Sequence, residues 1–336
     1  MRDVIANLIQ ERGKGIMATD ESTRTLSLRF AEFGLPGPDE GAKRAYRELL
    51  YSTHGIENYL AGVILFDDML CEATDHGERF VDVLTAKGIL IGVTADRGRK
   101  AMSEQSNERV TIGLDGIDVR LSNYKAMGAG FCKWRAEFRI EASTPSESLI
   151  STNCRDIAAF ASACQRLDLV PVVEPDVLIE GHHSVSDCLG TTVLVIKRTF
   201  AALTLAGVDP ARIVVKMHMI TPGDKSPSVP PAVVAGSTIS ALITAVPPAV
   251  PLVLFLSGGQ PERRANANLA AICSMAQNSH VSHRLSFSFG RSLQREALGV
   301  WRGMPKNVHE AQRALLRSLE AASLATLGEA NGFAAE

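Results

Sequence analysis

Short apolar runs alternate with longer segments of helical pattern along this chain of 336 residues. Eight of the runs are rich in β-branched and other apolar residues and are bounded by polar sequence, which is typical of buried strands. We therefore predict strands at 15–19, 62–66, 89–93, 131–134, 169–173, 213–217, 252–256 and 285–289.

The segments between the strands have amphipathic, helical spacing. Strands that alternate with helices are typical of βα units, which favours a parallel (β/α)8 TIM barrel of the α/β class, with a doubly wound open sheet as the alternative. No change in composition and no Gly/Ser linker divides the chain, so we expect residues 1–336 to form a single barrel domain with extra N-terminal and C-terminal helices. The predicted helices include 39–53, 152–167, 193–206, 232–246 and 307–327.

Polar residues stand at or near the end of every predicted strand. In a barrel these ends meet at the face that carries the active site, whereas an open sheet would spread them along an edge. Their placement therefore favours the barrel, although any one of them alone is as readily a helix N-cap or a surface ion pair. The residues are Asp20, Asp67, Asp96, Lys133, Glu174, Lys216, Ser257 and Arg291.

The composition is that of a folded globular protein, with 46% hydrophobic and 21% charged residues. The formal net charge of −2 gives no general attraction to nucleic acid or to an anionic membrane, so we expect neither partner. The stretch 226–261 carries no charge and has the length of a membrane span, but Pro230, Pro247 and Pro251 interrupt it. We predict a buried helix and a strand there.

Features of the N-terminus and of the cysteines indicate a cytoplasmic protein. The chain begins with Met1, Arg2 and Asp3 and has no long apolar stretch behind them, so export is not expected. The cysteines show no paired short spacing that would hold zinc or a redox disulfide, and we predict reduced, buried thiols. They are Cys71, Cys132, Cys154, Cys164, Cys188 and Cys273.

Lys216 closes the apolar run 213–217, where a solvated surface lysine has no reason to lie. Partial loss of water disfavours its ammonium form and leaves more free amine to attack a carbonyl. A charged Lys133 on a nearby strand would favour the amine further. Glu174 and Asp20 supply carboxyl groups for the proton transfers that dehydrate a carbinolamine. Together these groups predict aldol chemistry through an iminium, without a metal or another cofactor.

Two loops offer hydrogen-bond donors for a phosphate. Ser257, Gly258 and Gly259 follow the seventh predicted strand, and Gly290 and Arg291 follow the eighth. Glycines let backbone N–H groups approach an anion, and arginine adds a planar fork of donors. Ser-Gly-Gly alone is a common turn sequence, but together with the arginine one strand later it indicates a phosphorylated substrate.

Taken together, these motifs resemble the class I fructose-bisphosphate aldolases. The resemblance implies a (β/α)8 barrel and reversible cleavage of fructose bisphosphate to dihydroxyacetone phosphate and glyceraldehyde 3-phosphate, commonly by a homotetramer or dimer, with no metal. The matching segments are 15–23, 62–66, 113–116, 131–135, 170–176, 214–223, 255–260 and 287–291.

The resemblance also implies a role for each candidate residue. Lys216 would form the Schiff base with the ketone, and Glu174 would act as acid and base while the carbinolamine forms and loses water. Asp20 would take the proton of the hydroxyl whose loss breaks the C–C bond, with Lys133 assisting both. The phosphate next to the ketone would bind at Ser257, Gly258, Gly259, Gly290 and Arg291, and the far phosphate near Ser22, Thr25 and Arg135.

The chain departs from the family's usual pattern near the far phosphate. Thr94 stands where a lysine that binds this phosphate is usual, so one cation is missing. Arg24 stands where a glycine is usual, and we hypothesise that it restores the charge from the opposite wall, with Arg97 or Arg99 as the fallback. A preference for a ketose monophosphate is the alternative.

Other departures concern proton transfer. Asp176 replaces the usual second glutamate, which leaves the protonation balance of the two lysines open. His218 stands where asparagine is common, on the same side of the strand as Lys216, and either contacts the substrate or packs. The sequence ends with Phe333 near Glu336, where animal members have a mobile tail and a terminal tyrosine, so no group is assigned to the proton transfer after cleavage.

The main rival enzyme is a zinc-dependent class II aldolase. His182 and His183 are neighbours whose side chains diverge, and His280 and His283 offer only one pair at helical spacing. Neither pair has evident further ligands, so solvated or capping histidines are the preferred interpretation. Activity that survives a strong chelator would separate the two enzymes.

A rival of another class is a non-catalytic barrel that binds a sugar phosphate or a protein partner. The residues at Thr94 and Asp176 favour this reading, because both depart from the family pattern. A binder would not need a nucleophilic lysine, a second lysine and two carboxyls together, so the enzyme is the preferred interpretation.

Overall fold

A computed structural model of the chain describes residues 1–103 and 107–329. These residues form ten strands, which we number in chain order. They are β1 (Gly15–Ala18), β2 (Leu60–Leu65), β3 (Leu90–Thr94), β4 (Arg99–Ala101), β5 (Arg109–Thr111), β6 (Ala129–Phe138), β7 (Val170–Val177), β8 (Val214–Met217), β9 (Leu252–Phe255) and β10 (Arg284–Phe289).

Eight of these strands pair in parallel and close into a barrel in the order β1-β10-β9-β8-β7-β6-β3-β2. The closed ring confirms the predicted (β/α)8 barrel and excludes the open sheet. Each of the eight predicted strands is present. The helices are α1 (Arg2–Gln10), α2 (Thr23–Ala31), α3 (Glu40–Ser52), α4 (Phe80–Ala86), α5 (Ile117–Ala126), α6 (Glu147–Arg166), α7 (Val185–Leu205), α8 (Pro231–Ala245), α9 (Glu262–Gln277), α10 (Arg291–Trp301) and α11 (Val308–Thr326).

Alternation along the strands separates the barrel interior from the outer face that the helices cover. Phe131, Val172 and Val214 come from three different strands and pack into one interior cluster with Ile5 and Leu8 of α1. Lys133, Glu174 and Lys216 each stand two residues after an apolar member of this cluster and share its inward face. The apolar interior therefore gives way to a charged layer toward the carboxyl ends of the strands.

A glycine makes room for the largest side chain of the interior cluster. Phe131 is fully buried. A Cβ atom on Gly92 of β3 would lie 2.0 Å from Phe131 Cε2, far inside van der Waals contact. Glycine at this position lets the ring fill the barrel, and the ring supports the charged layer above it.

The structure differs from the sequence prediction in several elements. Strands β6 and β7 are longer than predicted, because polar and apolar residues keep alternating after the first lysine and glutamate. Helix α7 begins at Val185, since Ser184 and Asp187 form a reciprocal capping box. The antiparallel hairpin β4–β5 was not predicted, because the exposed segment Arg99–Ala101 carries no apolar alternation.

The uncharged stretch 226–261 forms α8 and β9, both with side chains in the core, as predicted. Among the described helices, only α7 is long and apolar enough to cross a membrane by length and composition. It packs between α6 and α8 as the crossover from β7 to β8.

The cysteines agree with the prediction except at one position. No disulfide joins any of them within the described residues, and five of the six are buried. Cys71 is exposed, which corrects the prediction of a buried thiol. It follows a short 3₁₀ turn, Asp68–Leu70, in the surface loop after β2.

Candidate active site

The charged layer of the barrel is centred on Glu174. Glu174 Oε1 lies 3.4 Å from Lys216 Nζ, and Glu174 Oε2 lies 3.5 Å from Lys133 Nζ. Lys133 Nζ in turn donates a hydrogen bond to Asp20 Oδ2. Each of these four side chains is less than a tenth exposed. Four of the five predicted catalytic residues therefore form one buried cluster.

The two lysines differ in pKa because their neighbours differ. Burial lowers the pKa of Lys216 and the charge of Lys133 lowers it further, against the opposing effect of Glu174. Burial would also lower the pKa of Lys133, but Asp20 and Glu174 raise it above its ordinary value. At Asp20, burial would raise the pKa, but the two lysines hold it below its ordinary value. Lys133 is thus an ammonium, and Lys216 is the lysine with the more available free amine.

One oxygen of Glu174 accepts no hydrogen bond from the described residues, although it lies in ion-pair range of Lys133. This atom, Oε2, is shielded from solvent. A buried carboxylate oxygen without a hydrogen bond is costly in the resting protein, which is common at sites of proton exchange. This oxygen lies on the carboxylate that contacts Lys216, the predicted nucleophile.

Asp176, the fifth predicted catalytic residue, contacts an arginine and not the two lysines. Arg135 Nη2 lies 2.5 Å from Asp176 Oδ2, and Arg135 Nε donates to the same oxygen at 3.0 Å. Arg135 Nη1 lies 2.9 Å from Glu137 Oε1, and Arg135 Nε lies 3.7 Å from Glu174 Oε1. Within the described residues Asp176 pairs with Arg135 and not with Lys133 or Lys216, so its effect on the two lysines stays a prediction.

His218 is a neutral side chain held by hydrogen bonds. The backbone N–H of Val177 donates to its Nδ1 at 3.2 Å, so the proton is on Nε2, which lies 2.8 Å from Thr192 Oγ1. The Thr192 hydroxyl donates onward to the carbonyl of Cys188 at 2.6 Å. Burial lowers the pKa of His218 to about 4. His218 therefore packs in the interior, which is one of the two roles expected for it. Its ring also lines the cavity described next.

A cavity of about 460 Å³ opens at the carboxyl ends of the barrel strands. Lys216, Glu174 and Asp176 line it, with Asp20 and Lys133 packed against them. The predicted binding residues that line the cavity are Thr25, Arg135, Ser257, Gly258, Gly259, Gly290 and Arg291.

Two predicted binding residues lie away from the cavity wall. Ser22 is exposed and caps α2, where its Oγ accepts a hydrogen bond from the backbone N–H of Thr25 at 3.2 Å. Arg24 is exposed on the first turn of the same helix. Neither belongs to the residues that line the cavity.

One end of the cavity has the form of an anion site. Gly258 and Gly259 adopt positive φ angles of 54° and 83°, which favour glycine, and both residues line the cavity. Gly290 is the N-cap of α10 and supplies no side-chain cap, so the first N–H groups of that helix are available to a ligand. A Cβ atom at Gly290 would lie 3.1 Å from the carbonyl of Ala18. Arg291, the first residue of the helix, is exposed beside this loop.

Several residues that line the cavity were not predicted from the sequence. Glu21 binds the buried Arg29, whose Nη1 also donates to Gln294 Oε1 at 3.2 Å. Ser288 of β10 is buried at the anion end of the cavity, and its hydroxyl has no partner among the described residues. Period-2 alternation points Ser288 inward, a signal present in the sequence. The partners of Arg29 lie far apart in the chain and left no local pattern.

The histidines do not form a metal site. Within the described ranges, no group of three or more His, Cys, Asp or Glu side chains is arranged to hold a metal ion. His182 is exposed, whereas His183 is buried in the cavity wall. His283 Nδ1 lies 2.7 Å from the carbonyl of Val250.

Comparisons with known proteins agree with this geometry. The family model of class I fructose-bisphosphate aldolase matches residues 3–336. A cytoplasmic isozyme of fructose-bisphosphate aldolase from Cicer arietinum is 42% identical over 333 residues, which cover 98% of this chain and 92% of the relative. Cytosolic fructose-bisphosphate aldolase 4 from Arabidopsis thaliana is 42% identical over 335 residues, which cover 99% and 84%.

A solved structure agrees as well. The fructose-bisphosphate aldolase of Plasmodium falciparum, in complex with TRAP and a small-molecule inhibitor, superposes with a TM-score of 0.93 at 36% identity. The superposition covers 97% of this chain and 94% of that one. The resemblance found in the motifs thus agrees with the barrel, with the charged cluster and with the similarity in sequence and structure. The chain belongs to the class I fructose-bisphosphate aldolase family.

Proposed function

We propose that this chain cleaves fructose bisphosphate reversibly to dihydroxyacetone phosphate and glyceraldehyde 3-phosphate, with Lys216 as the Schiff-base nucleophile. The observation that supports these roles best is the position of Glu174, whose two oxygens lie 3.4 Å from Lys216 Nζ and 3.5 Å from Lys133 Nζ. Glu174 can exchange protons with Lys216, whose pKa is lowered, because the two side chains are in contact. The ammonium group of Lys133, whose pKa is raised, orients the carboxyl. The proposal assigns the reaction to one domain, residues 1–336.

The first half of the reaction makes the iminium. A phosphate held by Ser257, Gly258, Gly290 and Arg291 would place the neighbouring ketone at Lys216. The amine attacks the carbonyl carbon and loses a proton, and the carbonyl oxygen gains one, which gives the carbinolamine. Glu174 donates a proton to that hydroxyl, which leaves as water, and the C=N bond of the iminium forms. The positive charge on nitrogen then draws electrons from the adjacent carbon.

The second half breaks the C–C bond. Asp20 accepts the proton of the hydroxyl on the neighbouring carbon, and the electrons of the C–C bond pass to the iminium, which becomes an enamine while the aldehyde leaves. Lys133 donates to Asp20 and keeps it ionised and oriented for this step. Protonation of the enamine carbon and hydrolysis of the new iminium return free Lys216 and release dihydroxyacetone phosphate.

Location and assembly are further parts of the proposal. The Cicer and Arabidopsis relatives are named cytoplasmic and cytosolic isozymes, and we place this chain in the cytoplasm as well. We also propose a homo-oligomer, a tetramer or dimer, with a phosphorylated ketose as the small-molecule partner and with no metal or other cofactor. Light scattering of the purified chain measures its oligomeric state.

The test is turnover of fructose 1,6-bisphosphate by the purified chain, with and without a strong chelator. Release of triose phosphates that the chelator does not reduce supports the proposal. A chain that is stabilised against heat by the substrate but releases no triose phosphate is a sugar-phosphate binder and contradicts it. Loss of turnover in chelator would return the reaction to metal chemistry.

A further inference from the structure

Carboxylates surround Arg135 at one end of the cavity. Three carboxylates approach its guanidinium: Asp176 at 2.5 Å, Glu137 at 2.9 Å and Glu174 at 3.7 Å. A single arginine so surrounded has little positive potential left for an incoming phosphate.

A second guanidinium lies at the same carboxylate. Arg99 Nη1 and Arg135 Nη1 both bind Glu137 Oε1, so the two side chains converge on one oxygen atom. Burial lowers the pKa of Arg99, and so does the charge of Arg135, which is the expected effect of two neighbouring cations. The Arg99 side chain remains 37% exposed, so it can turn toward a ligand at the mouth.

The backbone of the hairpin β4–β5 fixes this arrangement. Arg99 pairs in register with Thr111 on the opposite strand. The buried Thr111 hydroxyl donates to the backbone carbonyl of Arg135 at 2.7 Å, and the Thr111 N–H donates to Asn153 Oδ1 at 3.2 Å. The hairpin is thus tied to β6 at Arg135 itself, which keeps the two arginines together.

The barrel order places Arg99 and Arg135 on the opposite side of the mouth from the anion site. In the ring, β6 lies four strands from β10, and β3 lies four strands from β9. Arg135 on β6, and Arg99 in the connection after β3, therefore stand across the mouth from the loops that carry Ser257 and Arg291. A substrate with phosphates at both ends would span the mouth between the two sites.

We propose that Arg99 is a specificity-determining residue, which with Arg135 binds the phosphate at the aldehyde end of the substrate. The inference rests on the proposed function and goes beyond it by naming the cation that makes the bisphosphate preferred over a monophosphate. Arg99 neutralises Glu137, so that Arg135 keeps a net positive potential, and it offers its own donors to the phosphate.

Two other candidate cations lie in poorer positions. Arg97 faces Asp67, at the end of β2, with 3.8 Å between Nη2 and Oδ2. Arg24 lies exposed on α2 and, like Arg99, does not line the cavity, but none of its described contacts reaches the carboxylates around Arg135. Of these three arginines, Arg99 is the one that shares a carboxylate oxygen, Glu137 Oε1, with the cavity-lining Arg135.

The test compares kcat/KM for fructose 1,6-bisphosphate with kcat/KM for fructose 1-phosphate in Arg99→Ala. Loss of a charge-assisted contact should lower the value for the bisphosphate about tenfold or more, with the monophosphate changed by less than about threefold. Lys100→Ala is the matched control, because the neighbouring cation on β4 points to the opposite face of the strand. It should leave the ratio unchanged, and Arg99→Lys should keep part of the preference.

Other outcomes overturn the inference. A ratio in Arg99→Ala equal to that of the wild type shows that Arg99 does not select the substrate. Equal losses for both substrates, or a lowered melting temperature with the ratio retained, assign Arg99 a structural role instead. Failure of the wild-type chain to cleave either sugar phosphate would contradict the proposed function itself, which is a different result.

Discussion

Glu174 Oε1 lies 3.4 Å from Lys216 Nζ in a part of the barrel where both side chains are nearly inaccessible to water. A carboxyl and an amine this close together and away from water can exchange a proton, so one can pass between Glu174 and a group that forms on Lys216. The second oxygen, Glu174 Oε2, accepts no hydrogen bond from the described residues. This geometry supports the proposed acid–base role of Glu174 at Lys216.

Glu174→Gln should lower kcat for fructose bisphosphate cleavage by about 10²–10⁴-fold, the range usual for a lost general acid–base group. Glutamine keeps the shape of the side chain but cannot exchange a proton, so dehydration of the carbinolamine becomes slow. Steady-state kinetics measure this, and Glu310→Gln, at an exposed position on α11, is the control. A variant within a few-fold of the wild type would remove Glu174 from the proton path.

Lys133→Met should shift the alkaline rise of kcat/KM to higher pH. The charge of Lys133 contributes to the lowered pKa of Lys216, so removing that charge raises the pKa of Lys216 and leaves less free amine at neutral pH. The pH profile of single-turnover Schiff-base formation reports this shift directly. Lys197→Met, at an exposed position on α7, should leave the profile in place; an unshifted profile in Lys133→Met would show that the two lysines do not interact.

His218 should make the protein less stable in mild acid. Its folded-state pKa is about 4, below the ordinary value of 6.5, so the unfolded chain binds the proton more readily. The stability from this group is complete above pH 6.5 and is lost as the pH falls toward 4, by about 2 kcal/mol between pH 7 and 5. Denaturant unfolding at the two pH values measures it. His218→Asn should show a fall smaller by about that amount, and an equal fall in both proteins would contradict the buried neutral imidazole.

Gly92→Ala should destabilise the barrel by about 1–3 kcal/mol, because the new methyl group overlaps the Phe131 ring. Gly190→Ala in α7 is the matched control, since a Cβ there meets no heavy atom within 4 Å and alanine favours a helix. The control should be neutral or stabilised by up to about 1 kcal/mol. Unfolding midpoints in urea compare the two variants, and equal stabilities would mean that the interior can repack around the ring.

Local sequence carried most of the fold and the identity of the central residues. The barrel strands were predictable because each is an apolar run, and the inward direction of Lys216 follows from its distance of two residues from the interior residue Val214. The extra length of β6 was predictable as well, because apolar residues keep alternating with polar ones through Trp134, Ala136 and Phe138. The start of α7 was present as the Ser184 and Asp187 capping pair.

The pairing of charged side chains could not be predicted in the same way. Arg135 forms its short ion pairs with Asp176 and Glu137, although several carboxylates lie nearby. Which carboxylates it pairs with depends on strand stagger and side-chain rotamers. The hairpin that brings Arg99 to Glu137 is short and polar, so nothing in its sequence distinguishes it from an ordinary loop. The predicted role of Arg24 relied on sequence position alone, whereas its side chain lies outside the cavity wall.

The most direct test of the account is reduction with borohydride in the presence of dihydroxyacetone phosphate, followed by peptide mass mapping. A Schiff base at the buried amine predicts one added reduced triose phosphate on the peptide that contains Lys216, and none in Lys216→Met. An adduct at Lys133, or full turnover with no adduct at Lys216, would contradict the assignment of the nucleophile.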